Sequence, residues 1–395
     1  MPLLLAFSNG VTAMRLWVLV LVVLVALTAA FPARSSDHAD PALPAEFNPE
    51  LVMEPNITGL FIFPRGDRLV LVFNVYKQLA KQPPYTFGEY EFVINMDLHS
   101  RIDYSDETVR ARYGGHVVDS LGIKPDASIT VHIDNNGNLE KKTVVGLERA
   151  EEIQWYVGVK ADPFIFSPFT KSNVMSMVMS IPINAFPQGQ QDWIIWGITK
   201  KRGSNAIIDH IGRGLRTQLP RFSFLNTLPP SEHVAALHKE AHRDNSIRNF
   251  IMDYLAPATN LYDATFNLRY YDFEPDVAIY TSRFPAKFPN GRELTDDIVG
   301  ISCTFGDCLL MELDIALGKN FPRRADPGKP LSGDFPYLAE PWSVQPPAQA
   351  EKHVSPKTAV IVAFTVALAV LLLNFYFLYT GWQARRALRR LKHAS

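Results

Sequence analysis

Cysteine is nearly absent. Of 395 residues only Cys303 and Cys308 carry a thiol, so no further cysteine is available to complete a metal site around them. An excess of charge of one sign is absent too: the net charge of −1 leaves no basic excess to neutralise phosphates, and nucleic acid is not an expected partner. There is no Gly-x-Ser-x-Gly elbow, phosphate loop, dinucleotide fingerprint or haem-attachment motif. A catalytic triad assembled in space would leave no such trace. No fixed-period repeat points to a propeller or solenoid. Long apolar runs occur only near the two ends.

The first run, RLWVLVLVVLVALTAAF over Arg15–Phe31, has one positive charge before it and small residues after it. That is the plan of a secretory signal peptide, here residues 1–34, with Met14 an alternative start and an uncleaved anchor the competing reading. The second run, Thr358–Trp382, is long enough to cross a bilayer as a helix and ends in Phe375, Tyr376, Phe377, Tyr379 and Trp382. Arg385, Arg386, Arg389, Arg390 and Lys392 follow it and favour the cytoplasmic side. The expected order is a β-rich exported domain over 35–335, a proline-rich linker over 336–356, a transmembrane helix over 357–382 and a basic cytoplasmic tail over 383–395. The domain would face the periplasm or exterior.

Within the exported part, GLFIFP, RLVLVFNVY, YEFVINM, SITVHID, KKTVVG, SNVMSMVMSIPI, QDWIIWGITK, DATFNLRYYDF and IVGISCTF read as short strands bounded by turn residues. Only Pro230–Pro257 has helical spacing, with a break near Asp244-Asn245. The expectation is a mainly β, two-sheet sandwich-like domain with long loops and one helical segment, plus a single C-terminal transmembrane helix. If Phe305-Gly306 forms a two-residue turn, Cys303 faces Cys308 on paired strands, and a disulfide is the expected state in an oxidising compartment; half a metal site or a redox pair are the alternatives.

Several segments, in order, resemble an exported bacterial family known as domain of unknown function 4331. They are SSDHADP (Ser35–Pro41), NITGLFIFPRGDRLVLVFN, VHIDNNGNLEKKTVV, DPFIFSPFTKSNVMSMVMSIP, DHIGRGLRTQLP and FPNGRELTDDIVG. The resemblance implies export and architecture; the family brings no established activity. Gly59, Gly214 and Gly300 depart from its pattern, the first and last replacing aspartates, which thins any acidic metal site.

Four groups of residues could carry chemistry. Asp134, Asn136, Asn138 and Glu140 alternate oxygen ligands as calcium favours, but Asn136-Gly137 between apolar runs is also a hairpin turn, the favoured reading. Met175, Met177 and Met179 share one strand face, as core filler or as thioether ligands for Cu(I), with core filler favoured. His238 and His242 share a helix face without forming a zincin motif, and His233 reads as another surface residue. Arg292 with Asp296 and Asp297, a cluster that His38 and Asp40 could join in space, reads as a structural loop clamp, the favoured reading, or as a ligand site.

Two functions remain open: a membrane-tethered binding or scaffold domain with an envelope protein partner, or a calcium-, copper- or redox-dependent envelope enzyme.

Overall fold

A computed structural model describes residues 55–76, 83–166, 173–218, 222–241, 272–304, 325–326 and 328–343. The strands are, in chain order, β1 (Ile57–Arg65), β2 (Arg68–Val75), β3 (Tyr90–Asp97), β4 (Ile102–Asp103), β5 (His116–Val117), β6 (Ala127–Ile133), β7 (Leu139–Val145), β8 (Gln154–Ala161), β9 (Ile165–Phe166), β10 (Asn173–Pro182), β11 (Asp192–Lys201), β12 (Ile207–Ile211), β13 (Ala278–Thr281) and β14 (Ala325–Asp326). Three helices are described: α1 (Glu107–Tyr113), α2 (Pro230–Ala241) and α3 (Ile298–Thr304). The described chain is therefore mainly β.

Every pairing between strands is antiparallel. One sheet runs β1-β2-β10-β8; a second runs β12-β11-β3-β6-β7, with β13 on the first half of β11. Period-two alternation sends Leu69, Leu71, Phe73 and Val75 of β2 to one face, where they meet Met175, Met177 and Met179 of β10. Phe92, Ile94, Ile129, Val131, Trp193 and Ile195 of the second sheet belong to the same buried cluster. The three methionines thus sit in an apolar core shared by both sheets.

The opposite face of the first sheet is also buried. Val70, Val72, Val178, Phe61 and Phe63 pack there with Leu215, Leu294, Ile298, Val299 and Leu338. This second layer explains why all ten residues of β10 are buried and why that strand does not alternate with polar residues. On the outer face of the second sheet, Val93, Ile194, Trp196 and Ile198 are covered by Ile102, Val117 and Ile123.

Three expectations change. The run IVGISCTF is helical over Ile298–Thr304, not a strand. Asp297 caps it: its Oδ1 accepts from the Gly300 amide at 3.1 Å and its carbonyl accepts from Ile301. A satisfied helix start thus overrides the β-branched composition. Cys303 therefore lies on a helix rather than on a strand, and Cys308 lies outside the described residues. The packed domain also runs past Phe335, where a linker was expected. Leu338 is buried, the Ala161 amide donates to the Ala339 carbonyl at 3.2 Å, and the Trp342 amide donates to Asn173 Oδ1 at 2.8 Å.

The segments 1–34 and 357–395 lie outside the described residues, as does the chain beyond Ala241 as far as residue 271. Among the described residues no helix is long and apolar enough to cross a membrane.

Candidate functional site

The loop joining β6 to β7 holds the candidate calcium ligands. Asp134 Oδ1 accepts from the Asn136 amide at 2.9 Å and the Asn138 amide at 2.8 Å, and its Oδ2 accepts from Asn138 Nδ2 at 3.3 Å. These bonds, led by the Asn138 amide, lower the carboxyl pKa. Glu140 turns away to pair with Arg202. Asn135 ties the turn to the chain before β3, accepting from the Gly88 amide at 2.8 Å. The carboxylate oxygens of Asp134 are thus turned into its own hairpin, while those of Asn135 and Glu140 bond residues outside it.

The segment 288–297 is a strap between β13 and β1. Arg292 and Ile62 exchange both backbone bonds, at 2.7 and 3.0 Å, and the Gly291 amide donates to Ile279 at 2.7 Å. Gly291 has φ +67°, and a Cβ there would lie 2.5 Å from the Ile62 carbonyl, so the turn requires glycine. Asn290 is buried and donates to the carbonyls of Thr281, Phe284 and Pro285. Asp296 Oδ2 accepts two amides, from Phe288 and Glu293, each at 2.8 Å. The Arg292 guanidinium lies 3.9 Å from the Phe61 ring centre and 4.9 Å from that of Phe164. Burial pushes its pKa down to about 9 while Asp296 pulls the other way, which leaves it charged at neutral pH. The two aspartates thus do different jobs: Asp296 gathers the strap's amides, and Asp297 caps α3.

The densest cluster of ionisable side chains lies where β12, α2 and the chain before β13 meet. Asp209 Oδ2 accepts from the Ile57 amide at 2.8 Å. His210 Nε2 faces the Asp276 carbonyl at 2.8 Å and its Oδ2 at 3.3 Å. Asp276 also accepts from the amides of Gly212 and Arg213, each at 3.1 Å. Arg213 Nη2 bonds Asp272 at 3.1 Å, and Arg216 Nη2 bonds the same oxygen. Arg213 stacks on Tyr113 and Arg216 on Phe222. From α2, His233 Nδ1 accepts from the Asp276 amide at 3.1 Å, and its Nε2 donates to the Leu228 carbonyl at 3.0 Å.

Two arginines thus face two aspartates inside the fold, and His210, His233 and Asp276 each have 0% exposure. Burial alone would raise the Asp276 pKa; the bond from His210 and the charges of Arg216 and Arg213 outweigh it and hold the carboxyl well below the usual range. Burial, then the neighbouring His210, pushes His233 down to about 3. His233 is therefore neutral, with its proton fixed on Nε2 by the Leu228 carbonyl. The arrangement binds three segments to one another and encloses every charge it uses.

His233 is buried rather than at the surface. Its position four residues before Leu237 puts both on the face of α2 that packs inward, a spacing legible in the sequence. DHIGRGLR was singled out only by resemblance; nothing in its spacing announced that its histidine and arginines face Asp272 and Asp276. His238 is exposed and stacks on Phe273 at 4.2 Å, while His38, Asp40 and His242 lie outside the described residues. Among the described residues no three His, Cys, Asp or Glu side chains gather as a metal site. Comparison with known protein families, curated proteins and solved structures finds no match.

Proposed function

We propose that the chain is an exported β-sandwich domain, tethered to the membrane by a single helix over 357–382, that works as a binding or scaffold module for an envelope protein. The supporting observation is the free edge of the second sheet. Among the described residues β7 is its terminal strand and pairs only with β6. Val145 is 57% exposed and Leu139 37%. An open edge offers a row of backbone donors and acceptors to an extended partner segment, while Lys141 and Lys142 guard it against pairing with a second copy. Lys142 is anchored 4.5 Å over the Trp155 ring, which leaves Lys141 to favour an acidic partner strand. The enclosed charges of the β12–α2 junction fit a fold-holding role better than a reacting one.

A photo-reactive residue at Val145, in the full-length chain in its own membrane, tests this. One discrete adduct with another envelope protein is expected, with none from the same probe at Leu121, which is 72% exposed on a different loop. Equal labelling from both positions, or none from Val145, overturns the edge-binding proposal.

A further inference from the structure

α2 is held to the rest of the domain by a histidine that fits its place only when neutral. His233 Nδ1 accepts the Asp276 amide at 3.1 Å, so the ring proton sits on Nε2 and goes to the Leu228 carbonyl at 3.0 Å. Both ring nitrogens are thereby used, one as acceptor and one as donor. The side chain is fully buried, and the His210 ring lies edge-on to it with centres 4.9 Å apart.

A second proton has one place to go, Nδ1, where it would face the Asp276 N–H, donor against donor. The surroundings offer such a cation little. From β12 come Asp209, turned to the Ile57 amide, and His210, turned to Asp276. The chain after β12 brings Arg213 and Arg216, which repel a further positive charge. The chain before β13 brings Asp272 and Asp276, whose carboxylates already serve those arginines and His210. The short turn Ser120–Gly122 also packs on α2, and its neighbour Asp119 accepts from the Gly122 amide at 3.1 Å. On α2 itself Glu232, His238 and Lys239 are exposed and Glu240 is half-buried.

The apolar contact under the helix is small. Leu237 packs with Phe222 and Leu225, and these three form a buried cluster of their own, apart from the core between the sheets. A helix held by so few apolar side chains and by hydrogen bonds to one ring can open without the sheets.

We infer that His233 makes α2 an acid-released latch: proton uptake on its ring frees the helix from Asp276 and β12 while both sheets stay folded, and uncovers Phe222, Leu225 and Leu237. The direction follows from linkage. In the closed form the ring titrates at about 3, against 6.5 once it is free, so the open form binds the extra proton between those values. The latch is complete above pH 6.5 and weakens as the pH falls; from pH 7.5 to pH 5 its opening equilibrium rises about thirtyfold. The inference is independent of the β7 edge.

The test is hydrogen exchange of the full-length chain in mild detergent, read by mass spectrometry at pH 7.5 and pH 5 and corrected for the intrinsic rate at each. The α2 amides should be less protected than those of β10 at both pH values, and their protection should fall about thirtyfold at pH 5. In His233→Gln the carboxamide can accept and donate at the same two partners but does not titrate, and the fall should disappear. Should that variant not accumulate, the wild type alone decides: α2 protection should be level above pH 6.5 and drop about tenfold per pH unit below pH 6. Protection of α2 that is unchanged at pH 5, that falls as far in His233→Gln, or that equals that of β10, so that the helix opens only with the whole domain, overturns the inference.

Discussion

Gly212 lets two backbones touch. A Cβ there would fall 2.2 Å from the Asp276 carbonyl oxygen and 2.5 Å from the Val277 Cα, atoms that cannot swing aside. Gly212→Ala should therefore destabilise by about 1–3 kcal/mol, the range of overpacking, whereas Gly189→Ala, with open space and only its φ of +84° to strain it, should cost about 1 kcal/mol. Urea unfolding of the two variants ranks them; an equal loss would show that the close approach does not matter. His233 sets a pH dependence. Its pKa is about 3 in the fold against 6.5 when free, so between those values the unfolded chain binds the extra proton. Its contribution is complete above pH 6.5 and shrinks as the pH falls towards 3, by at most about 1.4 kcal/mol per pH unit. Unfolding free energy measured at pH 7.5 and pH 5 should drop more steeply for the wild type than for His233→Gln; parallel losses would remove His233 as the cause. The Met175, Met177 and Met179 face was legible from period-two spacing alone. The partners of His210, Arg213 and Arg216 were not, because they arrive from segments about 60 residues away in sequence, at Asp272 and Asp276.

At the scale of elements, composition and spacing placed most strands of both sheets, since β-branched runs between turn residues meet few competitors. Two kinds of element escaped. Gln154–Ala161 was not singled out, with Gly158 interrupting its run, although Trp155, Tyr156, Val157 and Val159 favour a strand and it pairs along its whole length with β10. Ile298–Thr304 looks like a strand, yet Asp297 starts a helix, a cap hidden by the neighbouring Asp296. Asp297→Ala should cost about 1 kcal/mol through the lost cap, read as a lower urea midpoint. Asp297→Asn should keep most of that stability, since the amide oxygen still accepts from Gly300; equal losses for both variants would mean that charge rather than capping holds the helix start. The β7 edge was legible as a strand but not as an edge, because strand order follows from pairing and not from local sequence.

At the scale of the whole molecule, the described residues bury one apolar core between the sheets, another beneath the strap and a third on the outer face of the second sheet, and the charges at the β12–α2 junction are turned inward. The proposed binding role therefore rests on the described surface, and on the open β7 edge in particular. The tether that would place this domain outside the membrane rests on the apolar run before five basic residues. Protease added to the outside of spheroplasts, with an epitope tag on the C-terminus, tests it most directly. An exported, tethered domain leaves a small tagged fragment, spanning 357–395, in the membrane pellet. A full-length tagged chain that resists the protease until the membrane is dissolved would contradict the proposed function at its root.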